Sequence, residues 1–234
     1  MSDIDLLVGR TEIAPSLEAL RQLDYNPVED VHGDYHDDHH HCAPLFRSGD
    51  YGTLEIHRNL MEPPYAAVLP METVMAEVES LEVEGAHMRV LSPTHRILHN
   101  IVHSQLVDHH HDNGILPLRS LHETVTEQAA ITDNVDWRDI EKQMLRQHRS
   151  HILLAYLYMA YKLFAMPFPA PTRPTLFSRL YYQRCRAQLR WRWTHKWGLR
   201  LGRYSPDTLN ERYACGRGWL AVNRSRILQL TGKI

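Results

Sequence analysis

The chain opens with the stretch Met1-Ser2-Asp3-Ile4-Asp5-Leu6-Leu7-Val8, and this stretch decides the fold. Side chains alternate between the two faces of a strand, so Asp3 and Asp5 share one face, and Ile4, Leu6 and Val8 share the other, where we expect a core. Two neighbouring carboxylates repel each other unless a cation lies between them, and oxygen ligands suit Mg²⁺ or Mn²⁺. The stretch therefore predicts a strand that carries metal ligands.

A third carboxylate lies on a later predicted strand, Thr53 to Asn59, which follows the glycine-containing turn Arg47 to Gly52. Alternation places Glu55 and His57 on one face of this strand and apolar residues on the other. Transfer of a nucleotide from a nucleoside triphosphate requires carboxylates from adjacent strands that hold two divalent cations. A pair of aspartates on one strand and Glu55 on another strand, about 50 residues later, match this requirement.

The second half of the chain is predicted to be helical. Ser92-Pro93 has the composition of a helix start, Asp136 caps another helix, and His151 to Met166 is apolar enough for a buried helix. The predicted fold is α+β, with a small mixed sheet followed by a helical C-terminal half. We divide the chain into an α+β core at residues 1–91, a helical domain at 92–166, a proline-rich linker at 167–174 and a basic helical extension, rich in tryptophan and arginine, at 175–234.

Composition places the chain among globular proteins. Its 234 residues are 43% hydrophobic and 23% charged, which is enough to bury a core. No stretch has the pattern of a signal peptide or of a membrane-spanning helix, so we expect a cytoplasmic protein without a membrane partner. The three cysteines are widely separated and odd in number, so a disulfide framework is not indicated.

The net charge of -2 conceals two regions of opposite charge. From Thr172 to Ile234 there are 14 basic and 2 acidic residues, which leaves 12 basic and 26 acidic residues before them. A basic region with tryptophans can bind RNA by neutralising phosphates and stacking on bases. It can also be a helix whose tryptophans are in the core and whose arginines pair with an acidic body. We favour the second interpretation, so nucleic acid is the less favoured partner.

The order of these motifs resembles the uncharacterised nucleotidyltransferase family of the polymerase-beta-like superfamily. The resemblance extends from about residue 1 to about residue 170, and order and spacing carry it more than any single motif. In the α+β part it rests on Asp3-Ile4-Asp5-Leu6-Leu7-Val8, Leu23-Asp24-Tyr25, His40-His41-Cys42-Ala43-Pro44-Leu45 and Leu54-Glu55-Ile56-His57. In the helical part it rests on Leu91-Ser92-Pro93, Leu98-His99-Asn100-Ile101-Val102-His103 and Leu118-Arg119-Ser120-Leu121-His122-Glu123, where we expect Asp at position 123.

The resemblance implies transfer of a nucleoside monophosphate from a nucleoside triphosphate to an unknown hydroxyl-bearing acceptor, with Mg²⁺ or Mn²⁺ as cofactor. Asp3 and Asp5 would hold the cations that bridge the triphosphate. Glu55 would bind the catalytic ion and help to deprotonate the acceptor hydroxyl. His57 would orient Glu55 or contact phosphate, with a structural hydrogen bond as the alternative.

The resemblance also implies two further features. His103 and Arg119 would line the acceptor side of the site, with plain packing or solvent exposure as the alternative for each. The family places a glycine-rich turn, G-G or G-S, about a dozen residues before the aspartates, where its N-H groups hold the triphosphate. The present sequence begins after that position. We therefore keep a second hypothesis, a nucleotidyltransferase-like interaction module that has lost nucleotide binding and catalysis.

Histidine is abundant, with 17 residues, and two clusters stand out at His36 to His41 and His109 to Asp112. Such clusters can bind Zn²⁺ or Ni²⁺, so a histidine-rich metal-binding protein is the third hypothesis, although we favour solvated loops. A metal-dependent phosphohydrolase built on His103, His111-Asp112 and Asp133 ranks lower. It needs the His-Asp pair on a helix, whereas Asp108 to Gly114 is predicted to be a loop.

Overall fold

The structure is a computed structural model that describes residues 2–28, 41–62, 65–130, 135–202 and 205. The chain divides into two compact units. One comprises residues 1–66 and 70–73, and the other comprises residues 67–69 and 74–234. Strands are concentrated in the N-terminal part of the chain and helices follow them. The predicted α+β fold, with a small mixed sheet and a helical C-terminal half, is therefore confirmed.

The first unit is built on a four-stranded sheet. Its elements are β1 (Ser2–Leu7), α1 (Ile13–Gln22), β2 (Asn26–Pro27), β3 (Leu45–Phe46) and β4 (Gly52–His57). The strand order is β1-β4-β3-β2, with β1 parallel to β4 and the other pairs antiparallel. A parallel pair needs a long crossover connection, and α1 lies within the connection between β1 and β4. The two strands that were predicted to carry the carboxylates, β1 and β4, are thus neighbours in the sheet.

The core of this unit lies against β3 and β4. Buried residues Cys42, Leu45, Leu54 and Ile56 form its centre, and side chains from Val8, Tyr25 and α1 pack on them. The expectation that the apolar residues of β1 lie in this core is wrong for two of them, because Ile4 and Leu6 are exposed. In the described sheet β1 is an edge strand, and the core cluster against which α1 packs is centred on its neighbours.

The second unit is mostly helical. It contains the hairpin β5 (Glu79–Val83) and β6 (Ala86–Val90), which α2 (Met71–Ala76) precedes. The helices that follow are α3 (Pro93–Val102), which continues as a π-helical turn at His103–Val107, α4 (His110–Asn113), α5 (Leu118–Ala130), α6 (Trp137–Arg146), α7 (Ser150–Phe164), α8 (Leu176–Arg190) and α9 (Arg192–Gly202). Ser92 and Asp136 cap α3 and α6 as predicted, because each side chain accepts backbone N-H groups of the first turn. Among the described helices, none combines the length and apolar character needed to cross a bilayer.

Helix α7 lies at the centre of this unit. The fully buried large side chains include Ile97, Leu98, Ile101, Leu121, Ile140, Met144, Leu153, Tyr156 and Leu157, which come from α3, α5, α6 and α7. These residues recur at helical spacing in the sequence, so each helix presents one apolar face to the others. The tyrosine in this set adds a polar group, and its hydroxyl lies 2.9 Å from the hydroxyl oxygens of both Ser120 and Thr124.

Helices α8 and α9 dock on α7 and α4 through a narrow set of contacts. The ring of Tyr181 stacks on His111 with centroids 4.4 Å apart, and its hydroxyl donates to the His111 carbonyl oxygen at 2.8 Å. In α9, Gly198 lies against the side chain of Gln188 and Gly202 lies against Asn113, so closely that an added Cβ would overlap them. The two glycines, one turn apart, therefore fix which face of α9 meets the body of the unit.

The predicted placement of the tryptophans is wrong. Trp191, which follows the last residue of α8, is exposed, and Trp193 and Trp197 are exposed because α9 turns its glycine face inward. The predicted pairing of arginines with acidic groups is also not found in the described part of the chain, where no salt bridge joins an arginine of α8 to a carboxylate. Instead, Arg184 donates to the Asp112 carbonyl oxygen at 2.6 Å.

Candidate metal centre

The parallel pairing of β1 and β4 brings three potential metal ligands together. Asp5 lies directly opposite Glu55, and His57 follows two residues later on the same face of β4. One ligand atom from each of these residues lies within 4.8 Å of the other two. His57 Nε2 is 3.2 Å from Asp5 Oδ1 and 3.5 Å from Glu55 Oε2. A single cation can therefore contact all three side chains.

The three ligands differ in their exposure to solvent. The side chain of Asp5 is 60% exposed, whereas those of Glu55 and His57 are 16% and 11% exposed. The two residues of β4 thus form a buried floor that holds its geometry, and Asp5 on the edge strand borders the open side. Such a site would hold a cation against the two residues of β4 and would stay open to a substrate on the side of Asp5.

The electrostatics of the cluster favour a positive charge. Burial opposes the charged form of His57, but the adjacent carboxylates of Asp5 and Glu55 outweigh burial and raise its pKa. The raised pKa favours the imidazolium form of His57, whose positive charge would lie beside the two carboxylates. Binding of a cation to the ring nitrogen would release this proton, so the proton and the metal compete for one place.

His41 is a part of the centre that the sequence analysis missed. It forms an isolated bridge with His57, and the two ring centroids are 5.2 Å apart. Its Nδ1 lies 2.8 Å from the Cys42 carbonyl oxygen and 3.5 Å from Glu55 Oε2. The Cys42 carbonyl oxygen can only accept a hydrogen bond, so His41 Nδ1 must be the donor and carry a proton. The same nitrogen lies near the Glu55 carboxylate. His41 therefore helps to orient Glu55. In the sequence analysis it is named only as a member of the His36 to His41 cluster and of the His-Cys-Ala-Pro-Leu motif, neither of which relates it to Glu55.

The donor set fits a divalent cation. Two carboxylate oxygens and one imidazole nitrogen form a mixed set that Mn²⁺, Fe²⁺ and Zn²⁺ accept, whereas Mg²⁺ prefers oxygen ligands and retains several waters. His57 Nε2 faces the two carboxylates, and a hydrogen bond with the backbone of Asn59 helps to hold the ring, as outer-shell partners do for a metal-binding imidazole. The sequence-based role of His57, orientation of Glu55 or contact with phosphate, thus gains a third version, direct metal binding.

The other predicted site residues lie elsewhere. Asp3 pairs with Thr53 on the same face as Asp5 but is not among the three clustered ligands, so its role stays a prediction. His103 and Arg119 both line a polar cavity of about 480 Å³ in the helical unit, together with Ser104, Asp108, His110 and Glu123 among others. In this cavity His103 Nδ1 is 3.5 Å from Asp108 Oδ2, and Arg119 Nε donates to Glu123 Oε1 at 2.9 Å.

The histidine clusters do not provide a second metal centre in the described part of the chain. Residues 36–40 lie outside the described residues, as does Asp133 of the phosphohydrolase hypothesis. In the other cluster His111 is buried against Tyr181, and no group of three ligands with metal-binding spacing occurs there. The predicted loop from Asp108 to Gly114 contains the short helix α4, because His109 adopts a left-handed conformation that starts a new turn.

The comparisons with known proteins concern the same part of the chain as the metal centre. A family model described as an uncharacterised nucleotidyltransferase matches residues 1–165, which include β1, β4 and the helices through α7. No curated protein and no solved structure matches the chain. The family match covers more than half of the sequence and contains Asp5, Glu55 and His57. The chain therefore belongs to the uncharacterised nucleotidyltransferase family.

Proposed function

We propose that the protein transfers a nucleoside monophosphate from a nucleoside triphosphate to a hydroxyl-bearing acceptor and depends on a divalent cation. The observation that carries this proposal is the cluster of Asp5, Glu55 and His57 across two adjacent parallel strands. Family membership supports the general class of reaction. We infer the need for a divalent cation, and the transfer to a hydroxyl-bearing acceptor, from the chemistry of the cluster.

The residues of the centre divide the work as follows. Asp5, Glu55 and His57 would hold a divalent cation, which when bound neutralises phosphate charge and acidifies a nearby hydroxyl. Glu55, which contacts His41 and His57, would accept the proton of the acceptor hydroxyl. The hydroxyl oxygen forms a bond to the α-phosphorus as the bond to the bridging oxygen breaks, and pyrophosphate leaves. Asp3, on the same face of β1, is the proposed ligand of a second cation.

The mixed donor set makes Mn²⁺ the favoured cation. The aspartates alone predict Mg²⁺ or Mn²⁺, because oxygen ligands suit both cations. The inclusion of an imidazole nitrogen moves the preference toward Mn²⁺, which accepts nitrogen ligands more readily. Residues His103 and Arg119 are proposed to bind part of the acceptor, because both line the polar cavity of the helical unit.

Metal binding by the purified protein tests this proposal most directly. Isothermal titration with Mn²⁺ should show binding that Asp5→Asn weakens at least about tenfold, because a charged ligand is lost. Asp24→Asn is the matched control, since it makes the same chemical change in the same unit, and its left-handed backbone (φ 66°) also suits asparagine. Equal Mn²⁺ affinity in the wild type and Asp5→Asn would refute the metal centre.

Nucleotide binding and turnover then separate the transferase from the inactive module. With Mn²⁺ present, we expect the wild type to bind a nucleoside triphosphate and to release pyrophosphate slowly, and Asp5→Asn to do neither. His103→Ala and Arg119→Ala should retain Mn²⁺ and nucleotide binding but lose acceptor-dependent turnover. Mn²⁺ binding without nucleotide binding would favour the interaction module over the enzyme.

A further inference from the structure

Helices α8 and α9 carry an unusual charge distribution. From Leu176 to Gly202 there are seven basic residues, Arg179, Arg184, Arg186, Arg190, Arg192, Lys196 and Arg200, and no Asp or Glu. As described above, none of the arginines of α8 forms a salt bridge with a carboxylate of the described chain. Within the described residues the arginines of α8 thus keep their positive charge without a carboxylate partner, and a segment with this charge favours an anionic partner.

The same two helices expose large apolar side chains. Leu176, Leu180, Leu189 and Leu201 are between 61% and 76% exposed, and Trp193 and Trp197 are 66% and 57% exposed. Single exposed leucines are ordinary on protein surfaces, but this number within 27 consecutive residues is not. Leu189 lies on the side of α8 opposite Leu180, and Arg184 is turned to the Asp112 carbonyl oxygen, so we leave both out. We call Leu176, Leu180, Trp193, Trp197 and Leu201, with the basic residues Arg179, Arg186, Arg190, Lys196 and Arg200, the α8–α9 surface.

The packing of α9 determines which of its side chains face solvent. Gly198 and Gly202 face the body of the unit, because their positions leave no room for a Cβ. At 100° per residue, Trp193 and Trp197 lie on the opposite side of the helix, with Lys196 and Arg200 beside them. Arg200 is over the ring of Trp197 at 5.5 Å, so the charge stays next to the aromatic group. The solvent-exposed face of α9 therefore carries both large apolar and charged side chains. A helix that only packs on its own core does not need exposed apolar side chains.

The leucines decide between two anionic partners. Single-stranded RNA would use the arginines for phosphates and the tryptophans for stacking, but a leucine side chain cannot stack on a base. The interface of a bilayer uses all three residue types, because leucine enters the acyl boundary, tryptophan occupies the headgroup level, and arginine and lysine attract anionic lipids. We propose that the α8–α9 surface binds the interface of an anionic lipid bilayer, as a peripheral contact that does not span it.

This inference differs from the sequence-based expectation that no membrane is involved, and it is independent of the proposed metal centre. Each basic residue near an anionic bilayer adds roughly a fivefold factor to the partition coefficient. Removal of two of them is therefore expected to lower binding about 30-fold. Removal of both tryptophans should lower binding at least about tenfold through the lost apolar area.

Vesicle flotation of the full chain tests the proposal. The vesicles contain either phosphatidylcholine alone or phosphatidylcholine with about 30% phosphatidylglycerol, at low and high salt. We expect binding only to the vesicles with phosphatidylglycerol, and we expect it to decrease with salt. Lys196→Gln/Arg200→Gln and Trp193→Ala/Trp197→Ala should each weaken it by the factors given above. Arg138→Gln/Arg146→Gln on α6 is the matched charge control, and Leu145→Ala, another exposed apolar position on α6, is the matched apolar control.

Two results would overturn the proposal. One is a lack of binding to anionic vesicles, or equal binding to both vesicle types. The other is salt-dependent binding of a single-stranded oligo(U) that exceeds vesicle binding and is lost in the tryptophan variant, which would assign the surface to RNA. Far-UV circular dichroism checks that each variant is folded. If a variant is not folded, the lipid and salt dependence of the wild type still decides.

Discussion

The hydroxyl of Tyr156 is at the centre of a buried polar network, and its removal should destabilise the helical unit. Tyr156 and Thr124 are completely buried, and the phenol oxygen is 2.9 Å from the hydroxyl oxygens of Ser120 and Thr124. Asn100 joins the network, because its Nδ2 donates to Thr124 Oγ1 at 3.0 Å and to the Ser120 carbonyl oxygen at 2.9 Å. Burial, which disfavours the phenolate, raises the pKa of Tyr156 to about 12, so the group stays a neutral hydrogen-bonding partner.

The magnitude follows from the groups that Tyr156→Phe would leave behind. Two hydrogen bonds disappear, and each contributes about 1 kcal/mol net in a folded protein. One hydroxyl of Ser120 or Thr124 also loses a partner inside the core, which adds a desolvation penalty of about 1 kcal/mol. The expected loss is about 2–3 kcal/mol in the free energy of unfolding. For a chain of this size, that loss corresponds to a fall of about 4–12 °C in Tm.

Urea unfolding followed by far-UV circular dichroism measures this effect. Tyr161→Phe removes the same atom from an exposed position of the same helix and should change stability by less than about 0.5 kcal/mol. A double-mutant cycle with Ser120→Ala should give a coupling of about 1 kcal/mol, because the two hydroxyls share a bond. A change below about 0.5 kcal/mol in Tyr156→Phe would mean that the network does not stabilise the unit as described. Since Asn100 and Ser120 also line the polar cavity, the variant should disturb that cavity too.

Three shorter predictions follow from other contacts. Gly198→Val should destabilise the docking of α9 by about 1 kcal/mol, because the Gln188 amide would have to move and give up its hydrogen bond to the Asn113 carbonyl oxygen, whereas Arg200→Val on the exposed face should not; equal unfolding free energies would contradict this packing. In metal-free protein His57 has a raised pKa, because the adjacent carboxylates outweigh burial. Its stabilisation should be complete below its ordinary pKa of 6.5 and lost as pH rises through the raised value, so urea unfolding with chelator should show a decline that is absent in His57→Gln. Burial raises the pKa of the Cys185 thiol to about 11, so iodoacetamide at about pH 8 should modify it only after denaturation; rapid labelling of the folded protein would show that the thiol is accessible.

Local sequence patterns were sufficient for the elements that form the centre. Alternation predicted that Glu55 and His57 share a face of β4, and the glycine-containing turn before β4 marked its start. The parallel register that sets Asp5 opposite Glu55 is a long-range property, and strand patterns alone do not determine it. The motif order supplied this information, because the family resemblance implied that the two carboxylates act together.

The wrong predictions of burial have a common physical origin. The sequence does not determine which face of a strand or helix packs against the rest of its unit. Ile4 has the composition of a core residue, yet it is exposed because β1 is an edge strand of the described sheet. The tryptophans of α9 also suit a core, but the close contacts of Gly198 and Gly202 turn the opposite face inward. Residue type indicates what a side chain can bury, whereas the contacts of the whole helix or strand determine whether it is buried.

The position of Asp5 on an edge strand has a mechanical consequence. Asp5 and Glu55 are about 50 residues apart in the chain, and the pairing of β1 with β4 sets them opposite each other. A cation bound to both would act as a cross-link between the two strands. At a concentration of 100 times its Kd, it would add about 2.7 kcal/mol to the stability of the paired state. Hydrogen exchange of the β1 amides should then slow when Mn²⁺ is added and return to its metal-free rate with a chelator, which makes the strand a reporter of occupancy at the centre.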